Sequence, residues 1–348
     1  MQHLKSLSEA IALSGKEDAV RAIVLDAIAP HAENITIDPL GSVTALKRGT
    51  APNPLRVMIA AHMDEVGLMV MGFEGDGTIR FTPIGGVEDR ILPGKRVLVG
   101  ENRIPGVINW TPIHKNRDQN VVKLSNLRID IGATSKDEAA GKVKRGDHVA
   151  FVSEYAELGE NVLRGKAFDD RVGCSHLIDL LSGDPYPVDV LAAFTVQEEI
   201  GLRGAQVAAQ TLKPDVAIIL EGTTANDVPQ PMDEPDDELE RNPTCRMGGG
   251  PVISAIDRSM IVNPRLFRLV KETAESLGIP YQIKTMPGGG TDGGIVHMSN
   301  GGIPTAVISM PCRYIHSPMA YLDKRDYAAT QTLVRGILDA LSKSWRQQ

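Results

Sequence analysis

Apolar positions along the chain change period three times, and each change marks a different kind of structure. Over residues 4–29 they recur every three or four residues, which predicts a helical stretch in two pieces broken at Ser14-Gly15. From Ile35 the period drops: "ITIDPLGSVTALKRG" gives two short strands around Pro39-Leu40-Gly41, and "RVMIAAH" reads as a strand apolar on both faces. After residue 162 the two textures alternate. "RVGCSHLIDLLS", "RGAQVAAQTL", "NPRLFRLVKETAESLG" and "DYAATQTLVRGILDALSKSW" are helical, while "VDVLAAFTVQ", "DVAIILEG" and "IPTAVISM" are buried strands. Wholly apolar strands alternating with amphipathic helices predict an α/β fold, a mostly parallel sheet flanked by helices.

Between Gly67 and Val162 the pattern is instead one of short alternating strands. An Asp76-Gly77 turn separates the first pair, and one brief helix opens at Ser135-Lys136-Asp137-Glu138, a capping-box spacing. This predicts residues 1–66 and 163–348 as one α/β domain, with 67–162 a small β-rich domain inserted into it, a lid or oligomerisation module.

Composition narrows the function. The 348 residues are 42% hydrophobic and 23% charged, with net charge −7 and no block of Lys or Arg, which argues against nucleic acid as a partner. No run of about 18 apolar residues suggests a membrane span. Cys174, Cys245 and Cys312 are odd in number and far apart, so neither a disulfide framework nor a thiolate metal site is indicated, and a reducing cytoplasm is expected.

In open α/β sheets ligands gather beyond the carboxyl ends of the strands. Here those ends carry His62 with Asp64, then Glu198 and Glu199, then Glu221, then His316, while Asp169-Asp170 precedes a helix. Singly, each has an ordinary explanation: a loop histidine, an N-cap, acids that complement a helix dipole. Their convergence at one end of the sheet has instead the composition of a site for two divalent metals with nitrogen and oxygen ligands. Asp64 lies two residues from His62, on the same face, and can orient its imidazole. The loop "GGGTDGG" lacks the Lys-Ser/Thr of a phosphate loop and lets backbone approach a ligand closely, making Gly290, Thr291 and Asp292 the substrate-side candidates. His297 beside it is a weaker candidate. Arg145-Gly146-Asp147 is read as a turn.

"AAHMDEVG", "KAFDDRVG", "TVQEEIGLRGA", "GGTDGG" and "RYIHS", in this order and spacing, resemble the M42 family of metallo-aminopeptidases over essentially the whole chain. The resemblance implies a zinc-peptidase-like α/β domain with an inserted β-barrel, and two divalent ions per subunit, zinc or cobalt with manganese as a further option. It implies that His62, Asp169 and Glu221 bind one ion and that Asp169, Glu199 and His316 bind the other. Glu198 is then the general base, Asp64 the partner of His62, and short peptides are cut from their amino ends. Many relatives have Asp where this chain has Glu221, a longer arm that can still ligate. The family also implies dimers that build a tetrahedral dodecamer. Two other readings are a glucanase-like glycoside hydrolase, for which two Trp residues are few, and a catalytically silent scaffold of the same fold. The acidic loop 231–240 suggests a preference for basic or neutral first residues.

Overall fold

The computed structural model describes residues 1–110, 122–228, 244–286 and 288–345. Its strands in chain order are β1 (Glu33–Ile37), β2 (Val43–Lys47), β3 (Arg56–His62), β4 (Gly67–Phe73), β5 (Ile79–Ile84), β6 (Arg96–Val99), β7 (Ile104–Ile108), β8 (Ile129–Asp130) and β9 (His148–Phe151). There follow β10 (Ala156–Leu158), β11 (Val162–Gly165), β12 (Asp189–Thr195), β13 (Val216–Thr224), β14 (Val252–Ser254), β15 (Gln282–Lys284), β16 (Thr305–Arg313) and β17 (Ala320–Asp323). The helices are α1 (Leu4–Glu9), α2 (Asp18–Ile28), α3 (Lys136–Lys142), α4 (Phe168–Ser182), α5 (Arg203–Leu212), α6 (Pro264–Ser276), α7 (Gly293–Val296) and α8 (Lys324–Ser344).

Eleven strands form one sheet in the order β1-β2-β12-β3-β13-β16-β17-β11-β10, with β14 and β15 branching from β16. Its four central strands, β12, β3, β13 and β16, are mutually parallel. They are buried on both faces, from Val57 to His62 in β3 and from Val216 to Glu221 in β13. That is why they read as unbroken apolar runs. Toward the edges β1/β2, β2/β12, β16/β17 and β17/β11 are antiparallel. Short hairpin connections join β1/β2 and β16/β17, whereas β2/β12 and β11/β17 pair across long stretches of chain, and the branch strand β14 runs antiparallel to β16 and parallel to β15. Helix α4 lies on β3 and β13, α5 on β12, and α6 and α8 pack on each other and on β16.

The strands β4-β5-β8-β7-β6-β9 close into a barrel with its own core, which includes Leu68, Phe81, Val97, Ile129 and Phe151. Closure removes the edges that six short strands would otherwise expose. Gly77 turns the first hairpin at φ 90° with no room for a side chain, since a Cβ would stand 2.3 Å from the carbonyl oxygen of Ala133. Ser135 caps α3 by accepting from the Glu138 amide at 3.3 Å, but Glu138 reaches back one residue further than a capping box, accepting from the amide of Thr134 at 2.8 Å. Residues 156–158 and 162–165 pair with the large sheet through β17.

The amino-terminal helical stretch is interrupted over a longer span than its apolar period suggests. Helix α1 ends at Glu9 and α2 starts at Asp18. Between them the carbonyls of Ala10 and Ala12 accept from Lys166 Nζ (2.7 Å) and Arg171 (3.0 Å), and Glu65 accepts from the Ala12 amide. Lys166 and Arg171 are both buried and both paired with the Glu65 carboxylate, Lys166 Nζ at 2.6 Å and Arg171 at 3.3 Å. Their remaining protons need acceptors away from water, and the carbonyls of this segment supply them in place of the helical ladder. The acidic loop 231–240 lies outside the described residues.

Candidate active site

Parallel pairing sets the site. Thr195 stands opposite His62, Ile219 opposite Ala60, and Glu221 opposite Ser309. All four central strands therefore end on one rim, and the polar residues that follow them meet. Asp169 and Asp170 join from the start of α4, where both have non-helical backbone angles and the peptide between them is cis.

Asp169 sits at the centre. Its Oδ1 is 3.3 Å from His62 Nε2 and its Oδ2 is 3.3 Å from His316 Nε2. Glu221 Oε2 is 3.6 Å from His62 Nε2, and Glu199 Oε1 is 3.5 Å from His316 Nε2. The edge of a tetrahedron of ligands around a zinc ion with bonds of 2.0–2.1 Å is about 3.4 Å, so these spacings suit shared cations. Glu221 Oε1 is buried and has no hydrogen-bond partner among the described residues, a costly arrangement for a carboxylate unless a cation faces it. The donor set fits divalent metal. Asp170 reaches the same space, within 4.8 Å of ligand atoms on His62 and Glu221. Its oxygens, however, accept the amides of His62 (3.1 Å) and Gly173 (3.0 Å), and so tie the end of β3 to α4.

The charges tell the same story. Asp64, Asp169, Asp170, Glu198, Glu199 and Glu221 crowd around two imidazoles. Burial, aggravated by neighbouring acids, pushes Glu198 and Glu221 well above the usual carboxylate range and Glu199 to about 7. Burial alone would lower His62, but Asp169 and Asp64 override it and raise the imidazole well above its usual range; His316 rises to about 9 because Asp169 and Glu199 outweigh its burial. Excess buried negative charge held by protons is what divalent cations displace.

Asp64 is fully buried. Its Oδ1 lies 3.4 Å from His62 Nδ1, and its backbone carbonyl lies 3.2 Å from the same nitrogen, which turns Nε2 toward the centre. The same carboxylate accepts the amides of Glu198 (3.0 Å) and Glu199 (3.2 Å) and the hydroxyl of Ser14 (2.6 Å). Glu198 Oε2 is 4.0 Å from His62 Nε2, near the cluster yet outside its closest contacts.

A cleft of about 770 Å³ opens over this cluster. Gly290 and Thr291 line it. Asp292 does not: it is turned inward, accepts from Thr195 Oγ1 at 2.6 Å, and is raised to about 6 by burial. Arg258 and Lys284 also line the cleft, and neither has a carboxylate partner among the described residues; Lys284 donates to Thr223 Oγ1 at 2.8 Å. A second cavity of about 970 Å³ continues past His316 between barrel and sheet, where Lys95, Arg96 and Arg164 line it. Periodicity gave no signal for these cations, because β15 is only three residues long and Arg258 lies in a loop.

Two further histidines have ordinary roles. His297 Nδ1 pairs with the carbonyl of Gly293, and His176 is a neutral core histidine, driven to about 3 by burial and bonded to the Tyr327 carbonyl. Arg145-Gly146-Asp147 is a turn whose Gly146 amide donates to Val70.

Residues 41–333 match the family model described as M42 glutamyl aminopeptidase. A lysyl aminopeptidase from Pyrococcus furiosus is 33% identical over 351 residues, covering 97% of this chain and 96% of its own. An aminopeptidase from the archaeon Desulfurococcus kamchatkensis has the same fold with a TM-score of 0.92 at 35% identity, over 100% of this chain and 97% of that one. A TET1 peptidase from Pyrococcus horikoshii, described as able to assemble into a tetrahedron or a large octahedral shell, matches with a TM-score of 0.83 at 32% identity, over 97% and 98% of the two chains. Since the family match spans most of the sequence and the relatives align nearly end to end, the chain belongs to the M42 glutamyl aminopeptidase family, metal-dependent hydrolases acting on the amino ends of peptides.

Proposed function

We propose that the chain is a dinuclear metallo-aminopeptidase in which His62, Asp169 and Glu221 hold one ion and Asp169, Glu199 and His316 hold the other. The observation that carries this reading is the pair of Asp169 oxygens, each 3.3 Å from a different imidazole nitrogen. Zinc and cobalt suit these nitrogen and oxygen donors, and manganese is compatible with them. Bound ions supply Lewis acidity, polarising the scissile carbonyl and acidifying a water. Glu198, free of the ligand contacts, takes the proton of the attacking water and returns it to the leaving amine. Asp64 keeps His62 in the ligating tautomer.

Lys284 and Arg258 line the cleft and place positive charge there, so a carboxylate on the substrate is favoured and acidic or neutral first residues are preferred to basic ones, which replaces the preference for basic or neutral residues expected from the acidic loop 231–240. A panel of amino-acyl-anilides tests this; fastest cleavage at Lys would reverse it. The substrates are short peptides, the compartment is the cytoplasm, and the barrel strands β4 to β9, the part of the expected 67–162 insertion that stands apart from the large sheet, form an inserted unit that borders the site and contributes to assembly. We place the subunits in dimers that build a tetrahedral dodecamer, which light scattering at micromolar concentration tests. A glycoside hydrolase would leave His62 and His316 without a task, and a silent scaffold would have none for Glu198. Chelation followed by metal return is the experiment that separates the three: only the peptidase loses and regains hydrolysis of an amino-acyl-anilide.

A further inference from the structure

Glu17 is a buried acid with no part in the metal cluster, 2% exposed and 180 residues from its nearest active-site partner. It occupies the N-cap position of α2, yet its side chain makes no cap bond, so helix capping does not account for it. Its Oε1 turns the other way and accepts the amides of Gly15 (2.7 Å) and Gln197 (3.2 Å). Gln197 immediately precedes Glu198 and sits in the left-handed region at φ 57°, a conformation that a Gln keeps only when its surroundings impose it. The next two amides, of Glu198 and Glu199, go to Asp64, which Ser14 anchors through its hydroxyl at 2.6 Å. Three successive amides of the loop bearing both glutamates are thus held by two carboxylates, and residues 14–17 supply one carboxylate and the anchor of the other.

The segment that supplies them is itself fixed. Arg171 donates to the carbonyls of Leu7 and Ala12, Lys166 to that of Ala10, and Leu13 bridges to Glu65 in parallel register. A rigid support of this kind transmits position rather than merely filling space.

We propose that Glu17 is a positioning residue of the active site: with Ser14, it clamps the 197–199 backbone so that the Glu198 carboxylate stays at the reacting water. This rests on the reading of Glu198 as general base. What matters is an acceptor oxygen at the right reach, not a charge. Glu17→Gln keeps the oxygen and the length, whereas Glu17→Asp keeps the charge and withdraws the oxygen by one methylene.

The test is steady-state kinetics on an amino-acyl-anilide, with metal content and thermal melting measured on both variants in the assembled, metal-loaded protein. Glu17→Asp is expected to lower kcat by about tenfold, less than the roughly 100-fold that a 1 Å misplacement can cost. KM should stay within about twofold, and metal content should be unchanged. Glu17→Gln should retain most of the wild-type kcat. Equal losses in the two variants, an unchanged kcat in Glu17→Asp, or a kcat loss that follows lost metal would overturn the proposal. Glu198→Gln in the same assay separates the two claims: full turnover there removes the base assignment, while the Asp-against-Gln contrast at position 17 still reports on the clamp.

Discussion

The large sheet and the barrel are built from the same strand-forming residues, yet only the sheet carries the candidate chemistry. Strands β3 and β13 are buried on both faces along most of their length, so polar groups have no place on them except at their ends. Because the central strands are parallel, those ends lie together, and His62, Glu221 and the residues after β12 and β16 converge. In the barrel most strands bury one face and expose the other: in β4, Leu68 and Val70 point to the core while Met71 is 54% exposed. Its polar residues are therefore spread over the whole outer surface and its neighbouring strands are antiparallel, so no two adjacent strands deliver their carboxyl ends to one place. Parallel order, more than residue type, concentrates a site.

The contrast can be broken at several points. Removing metal should have the largest effect: exhaustive dialysis against a chelator is expected to reduce anilide hydrolysis to background, with zinc or cobalt restoring it, while the barrel, which contributes none of the proposed ligands, keeps its hydrogen-exchange protection. Activity that survived with no metal detectable would refute the dinuclear reading. Next, Glu198→Gln should lower turnover by about 100-fold or more at near-normal metal content, in line with the roughly 10²–10⁴ contribution of general acid–base catalysis. Glu199→Gln should instead lose part of the metal and regain some activity in excess metal. If metal analysis gave the opposite pattern, the two roles would be exchanged.

Core truncations sharpen the comparison at a lower level. Ile218→Ala in β13 is expected to cost about 2–5 kcal/mol of stability, the range for removing a buried Ile side chain, and to lower activity through the displaced Glu221. Ile129→Ala in the barrel should cost a similar amount, but exchange should accelerate in β5, β7 and β8 before β3 and β13, because the two cores are separate clusters. Uniform acceleration across both would show one cooperative unit instead. The smallest effect is expected for Met71→Ser on the barrel exterior, within about 0.5 kcal/mol by thermal melting.

The central strands, the helices α4 to α6 and α8, and the acids and histidines at the strand ends were all legible from local pattern. A period of two or an unbroken apolar run reflects backbone geometry that each residue senses within a few neighbours. The flanking strands were less visible, since β10, β14 and β15 are three residues long and carry no period to read. Adjacent acids were the limit of composition. Residue type and spacing in "KAFDDRVG" do not distinguish Asp169, which faces two imidazoles, from Asp170, which ties β3 to α4; only the family resemblance of the motif singled out Asp169, because the physical difference lies in the backbone angles at the start of the helix.

What the sequence by itself determined was therefore the alternation of strands and helices and the residue types at the strand ends, which follow from side-chain spacing and the cost of burying charge. Only the tertiary structure decided which oxygen meets which nitrogen. The Glu17 contact to Gln197, the Ser14 contact to Asp64 and the cations over the cleft depend on strand order and on loops brought together across 50 to 180 residues. Hydrogen bonds at such separations leave no periodic trace in the chain, because they form only after packing of the whole sheet has fixed where each strand ends.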